Sequence, residues 1–225
     1  MTHTMRPQAA TVRSVRAARP ATRPLLGSAM LAGPLFLAAG VAQGLLRDGY
    51  DFTRNAISQL SLGDLGWIQK TSFVLTGVLI IAGAAGIRRV LDGGPGGTWA
   101  PRLIAVFGAS FLVSAVFSAD PGAGFPAGTP DDGTAALSTS GTVHMLGGMV
   151  GYLALCAAFL VLARRFAAQG RRGWAAASRI VPAAVLAGFA GSAGSVLAFT
   201  AGAALGLLWL TATTARLATA PPAER

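Results

Sequence analysis

The chain has 225 residues, 53% of them hydrophobic and 12% charged, with a mean hydropathy of +0.58. A soluble domain carries about 25% charged residues, so there is too little charge here to coat a water-facing surface, and a freely soluble fold is excluded. The length accommodates six apolar helices of about 20 residues with short connections, and leaves no room for a separate catalytic domain beside them.

The net charge of +10 invites a nucleic-acid reading, but no basic run is interleaved with aromatic residues, so nucleic acid is not an expected partner. Residues 1–24 hold Arg6, Arg13, Arg16, Arg19 and Arg23 and no acid, and read as a disordered basic cytoplasmic tail. Leu25 to Leu46 then runs without a charge, about 33 Å as a helix against a hydrocarbon core of about 30 Å. A cleaved signal competes for this segment. The run exceeds the usual core of about 7 to 15 residues, which favours a retained span.

The first outer segment, Arg47 to Asp64, places Phe52, Ala56 and Leu60 four residues apart. It reads either as a short amphipathic helix on the bundle or membrane surface or as a solvated connector. Further spans are predicted at 67–87 and 103–119, the latter ended by Asp120-Pro121 because a residue before proline avoids helix. Asp120 to Thr142 is rich in Gly, Pro, Ser and Thr and reads as a mobile loop, followed by a span at 143–163 that contains the lone Cys156 as a small core residue. Trp174 to Leu217 would be about 66 Å as one helix and must fold back. The small residues Gly191-Ser192-Ala193-Gly194-Ser195 mark the reversal, giving spans at 174–192 and 196–217 and a cytoplasmic tail at 218–225.

The fold class is therefore an all-α, six-helix transmembrane bundle with both termini cytoplasmic. Charge sorting agrees: 15 of the 18 basic residues fall on the inner side, leaving Arg47, Arg54 and Lys70 outside with Asp48, Asp51, Asp64, Asp120, Asp131 and Asp132. The expected partner of the basic face is the anionic inner leaflet. Lys is represented once, by Lys70, as in proteins of GC-rich bacteria, and the expected location is a bacterial inner membrane.

Ionisable chemistry is nearly absent from the spans, which argues against an ion pump or a voltage-gated channel. Lys70 and Arg179 lie near span ends and can snorkel to the headgroups. Polar residues gather outside, where Arg47, Asp51, Arg54, Asp120 and His144 are the candidate binding cluster. His144 is followed by Gly147, Gly148 and Gly151, a spacing that puts the imidazole on a close-packing stripe. A carboxylate at a helix C-terminus is unfavourable by about 0.3 to 1 kcal/mol, so Asp120 is expected to seek a cation, with His144, Arg47 and Arg54 in reach.

Four readings compete for this cluster. One is a lipid-acting hydrolase in which Ser192 or Ser195 is activated by His144 and oriented by Asp120. Another is a metal site from His144, Asp120 and Asp131 or Asp132, a weak set with one imidazole. The third is a site gripping a small solute or lipid headgroup, and the fourth a salt-bridged lid tying the third and fourth spans together. No cofactor is expected: bis-His haem would need His3, in the tail. Ser110, Ser114 and Ser118, and likewise Gly33, Gly40 and Gly44, form small-residue stripes that read as helix packing, with a polar conduit as the alternative for the serines.

At Tyr50-Asp51-Phe52-Thr53-Arg54-Asn55-Ala56-Ile57-Ser58, through Leu62-Gly63-Asp64-Leu65-Gly66-Trp67-Ile68-Gln69 into Thr76-Gly77, the chain resembles the bacterial membrane family called domain of unknown function 998. Asp120-Pro121, Gly122-Ala123-Gly124-Phe125-Pro126 and His144 carry the resemblance further, over roughly Leu25 to Leu217. It implies six helices and an integral membrane protein, and it brings no activity or catalytic residue. The uncharged turn between the fifth and sixth spans departs from the family pattern. The functional expectation is a non-enzymatic scaffold, or a binder or transporter of a small solute or lipid headgroup, with the hydrolase as the alternative.

Overall fold

The computed structural model describes residues 21–131 and 137–220. These form six helices, each long and apolar enough to cross a membrane: α1 (Thr22–Leu46), α2 (Gly66–Leu91), α3 (Trp99–Val116), α4 (Thr139–Ala168), α5 (Arg172–Ala190) and α6 (Val196–Thr219). Each packs on the next, and α6 returns to α1, so the helices close into a ring. Six spans were expected, and their ends shift by a few residues. Thr22, Arg23 and Pro24, assigned to the tail, belong to α1, while residues 1–20 and 221–225 lie outside the described residues.

Glycines let the neighbours approach closely, although of the expected α1 stripe only Gly33 meets a helix, α6 at Leu207, while Gly40 and Gly44 face Ile57 and Phe52 of the segment after α1. A Cβ on Gly77 of α2 would stand 2.7 Å from the Gly108 carbonyl oxygen of α3, and one on Gly202 of α6 would stand 3.3 Å from the Gly188 Cα of α5. Such backbone proximity replaces the hydrophobic drive that is missing between helices in lipid. The joint between α6 and α1 has a different device. Pro34 lies inside α1 and has no N–H to give the Met30 carbonyl four residues earlier. The Thr211 hydroxyl of α6 donates to that oxygen at 3.2 Å.

One end of the ring carries Arg23, Arg88, Arg89, Arg102, Arg164, Arg165, Arg171, Arg172, Arg179 and Arg216, with Asp92 as its sole acid among the described residues. Arg179 lies seven residues into α5, about 10 Å from its start, exposed and long enough to snorkel. The opposite end carries a structured cap made of the segment between α1 and α2 and the first half of the α3–α4 connection.

Two expectations about this cap change. The first outer segment is not a solvated connector, and the short helix it forms against the bundle is a single 3-10 turn, shorter than the spacing of Phe52, Ala56 and Leu60 implies. It makes turns through residues 51–54 and then a short 3-10 helix, η1 (Ile57–Ser61), whose Ile57, Leu60 and Ser61 are buried. The reason is local: the Asp51 side chain accepts from the Thr53 backbone at 2.7 Å and from its hydroxyl at 2.6 Å, a turn that competes with helix. The loop after Asp120 is not loose over its described first half. Gly122 and Phe125 pair across a tight turn, and Phe125 is only 1% exposed, driven into the cap. The cap is thus a small folded layer over the ends of the helices opposite the arginine-rich end.

Candidate functional site

Asn55 is the hub of the cap. It is 1% exposed, and its amide accepts from Asp51 N at 2.9 Å and donates to the Gly122 and Ala123 carbonyls at 3.2 and 3.3 Å, while its own carbonyl accepts from the Tyr50 hydroxyl at 3.0 Å. The five charged and polar residues expected to converge are mostly satisfied separately. Arg47 donates to the Leu60 and Leu62 carbonyls, each at 2.6 Å, and lies 4.9 Å from the centre of the Phe125 ring. Burial pulls its guanidinium below the ordinary value, with the Asp64 charge opposing. Burial also pushes the Tyr50 phenol up. Asp51 closes its Thr53 turn, and Arg54 pairs with Asp131 at 3.0 Å, both side chains exposed. That pair is a rim contact worth at most about 1 kcal/mol.

Asp120 finds hydrogen bonds in place of a cation. Its carboxylate accepts from the backbone N–H of Ser138, at 3.0 Å, and from the Ser138 hydroxyl. Ser138 in turn caps α4 by accepting from Gly141 N at 3.0 Å. The lid joining the third and fourth spans therefore exists, but it is hydrogen-bonded instead of salt-bridged. The close approach needs Gly141, because a Cβ there would run into the Asp120 carboxylate.

His144 sits one turn further along α4. Its Nδ1 lies 2.8 Å from the Phe117 carbonyl oxygen, so Nδ1 carries the proton and donates; in the neutral ring Nε2 is then the acceptor. This bond explains why α3 stops at Val116, three residues before the predicted end at 119. A helix leaves its last carbonyls without partners, and here Phe117 and Ser118 offer theirs to His144 and to the Ser140 hydroxyl. The imidazole packs against Phe73, itself in an aromatic cluster with Phe36 and Phe111, and is 9% exposed.

His144 also lines a cavity of about 770 Å³ inside the ring. The cavity runs from Leu137 at the cap to Tyr152, about 20 Å along α4 at the helical rise. Its wall is largely apolar, with Phe36, Phe73, Phe111, Phe189, Phe199 and Leu207 among its members. Met145, Leu146 and Met149 line it and remain exposed, so it is open along α4. The residues Ala56 to Gln59 roof it, held down by Arg47 on η1 and by Gln59, whose amide donates to the Asp120 carbonyl at 3.3 Å.

The other candidates separate on this geometry. Ser192 lines the same cavity, but among the described residues no hydrogen bond joins it to His144. Ser195 is occupied as the cap of α6, accepting from Ala198 N at 3.2 Å. With His144 Nδ1 on Phe117 and the Asp120 carboxylate on Ser138, the Ser–His–Asp relay of a hydrolase is not assembled. Among the described residues no three His, Cys, Asp or Glu side chains group so as to hold a metal ion, and Asp132 lies outside them.

The stripes split as well. Ser110 and Gly151 form a tight contact between α3 and α4, and a Cβ on Gly147 would stand 3.0 Å from a Val113 methyl. A Cβ on Gly148 would meet nothing within 4 Å, because that glycine faces the cavity. Ser114 is 6% exposed and lines the cavity too, and its hydroxyl makes no hydrogen bond among the described residues. The sequence carried Ser114 as one member of a stripe read as helix packing, with a polar conduit as the alternative; its i+4 spacing from Ser110 and Ser118 was the available signal.

No curated protein and no solved structure matches this chain. A family profile matches residues 30–217, spanning every helix and the cap, and the chain therefore belongs to the family described as protein of unknown function, DUF998.

Proposed function

We propose that this is a multi-pass protein of a bacterial inner membrane, with the arginine-rich end cytoplasmic, which binds a lipid-like molecule in the cavity beneath the outer cap. The reading is non-enzymatic, and the anionic inner leaflet is the partner of the basic end. The carrying observation is the cavity itself: about 770 Å³, within the range of about 300 to 1,000 Å³ typical of ligand sites, apolar along its length and polar near His144. Because it opens along α4, an apolar chain has a way in from the side.

The charge distribution supports the orientation. Labelling of Ser58→Cys but not Gly170→Cys from outside intact cells is the expected result, and labelling at position 170 would overturn it. The binding reading is tested by mass spectrometry of organic extracts from the purified full chain and from Gly148→Trp, whose side chain would occupy the cavity. A molecule present near one equivalent in the native protein and lost from the variant is expected. Identical extracts would overturn the reading.

A further inference from the structure

The cavity's polar end has a composition that selects among lipid-like molecules. Two buried groups there lack a protein partner for one of their functions. The Ser114 hydroxyl, on a residue 6% exposed, makes no hydrogen bond among the described residues. His144 uses Nδ1 on Phe117, which leaves Nε2 as an acceptor in the neutral ring. The two are neighbours by register. Along the antiparallel α3–α4 seam Ser110 meets Gly151, Val113 meets Gly147 and Phe117 meets His144, so Ser114 falls within about a turn of the imidazole. The Ser114 hydroxyl reaches the cavity space, so a ligand group can pair with it without displacing a protein partner.

This offers one donor and one acceptor to an incoming group. A ligand hydroxyl matches both, accepting from Ser114 Oγ–H and donating to His144 Nε2. An ionised phosphate matches poorly. It can only accept, it brings a charge of about −1.5 to −2, and the cavity wall contains no Lys or Arg to pair with it while containing the Asp120 carboxylate. Burying an unpaired anion is strongly unfavourable. Resting on the binding reading above, we propose that the site takes an uncharged, hydroxyl-terminated, single-chain amphiphile, its alcohol seated between Ser114 and His144 and its hydrocarbon laid along α4 and α6.

The test uses geranylgeraniol and geranylgeranyl monophosphate, which share one chain and differ in the end group, as radiolabelled probes against the full chain in nanodiscs of neutral lipid. Saturable binding of the alcohol is expected, with the monophosphate at least tenfold weaker. Ser114→Ala, which removes a hydroxyl with no protein partner to lose, should weaken the alcohol about fivefold, as for one neutral hydrogen bond, and leave the melting temperature unchanged. His144→Ala should weaken the alcohol as well, at a lower melting temperature because the Phe117 tie is lost.

If the monophosphate binds as tightly as the alcohol, or if Ser114→Ala leaves alcohol binding unchanged, while Gly148→Trp blocks both probes, the hydroxyl inference fails and the binding reading stands. If neither probe binds saturably, or Gly148→Trp has no effect, both fail.

Discussion

Replacing Thr211 with Val tests how the ring is closed. The substitution keeps the branched shape and removes the one hydroxyl that reaches the Met30 carbonyl, an oxygen that Pro34 leaves without its helical donor. Hydrogen bonds between membrane helices are worth about 0.6 kcal/mol on average and up to about 1.7. The acceptor here has no substitute within its own helix, so a loss of about 1 to 1.5 kcal/mol is expected. The cycle is completed with Pro34→Ala, which restores an N–H facing Met30. In that background Thr211→Val should cost no more than about 0.3 kcal/mol, a coupling of about 1 kcal/mol between residues on different helices. Reversible unfolding in mixed micelles, followed by far-ultraviolet circular dichroism, measures each corner. Equal cost of Thr211→Val in both backgrounds would refute the argument, because the proline would then have nothing to do with the bond.

Two glycines three residues apart should respond with opposite signs. Gly148→Ala projects into open space and should stabilise the helix by up to about 1 kcal/mol, whereas Gly151→Ala collides with Ser110 and should cost about 1 to 3 kcal/mol, both read by the same unfolding assay. Arg47→Ala removes two charge-assisted bonds to η1 and should cost about 2 to 3 kcal/mol. Arg47→Lys should recover less than half, because an ammonium lacks the fixed fork that spans two carbonyls, and hydrogen exchange at Leu60 and Leu62 would report the loosened roof. The Thr53 hydroxyl and backbone N–H, with Arg54, hold the Asp51 carboxyl below its ordinary value. Its contribution is therefore complete at neutral pH and fades as pH falls through about 4 and below. Carboxyl chemical shifts should show Asp51 titrating below an ordinary aspartate, and Thr53→Ala should move it back up.

The spans were legible because long charge-free runs such as Leu25 to Leu46 admit one structure in a bilayer, where every backbone group must be bonded within its own segment. The need for a reversal followed from length and its place from the small residues Gly191–Ser195, and α5 and α6 end and begin on either side of them. Helix ends were less legible, since the end of α3 depends on His144, 27 residues beyond Phe117 in the chain, donating to the Phe117 carbonyl. The cap was misjudged for a related reason. Phe52, Ala56 and Leu60 have helical spacing, but a turn at Asp51 and the amide of Asn55 use the backbone differently, and nothing in the residue types marks Asn55 as the hub. In the site, periodicity placed His144 on a glycine-rich face correctly. It could not tell that Gly147 and Gly151 meet a neighbour while Gly148 meets empty space, because that depends on what stands opposite.

Closure of the ring also has an order in time. Five of its six joints link helices adjacent in sequence, and each can form as soon as its second member leaves the ribosome and enters the bilayer. The sixth pairs the first helix made with the last, so the Met30 carbonyl waits through the synthesis of some 180 residues. Until Thr211 arrives the assembly is a horseshoe with one flank bare to lipid, and the chamber under the cap has no sixth wall. A bound molecule touching both α1 and α6 would therefore act as a late adhesive for the fold. Occupancy and completion of the bundle would then be one equilibrium, and the yield of intact protein would follow the supply of ligand at the moment of insertion.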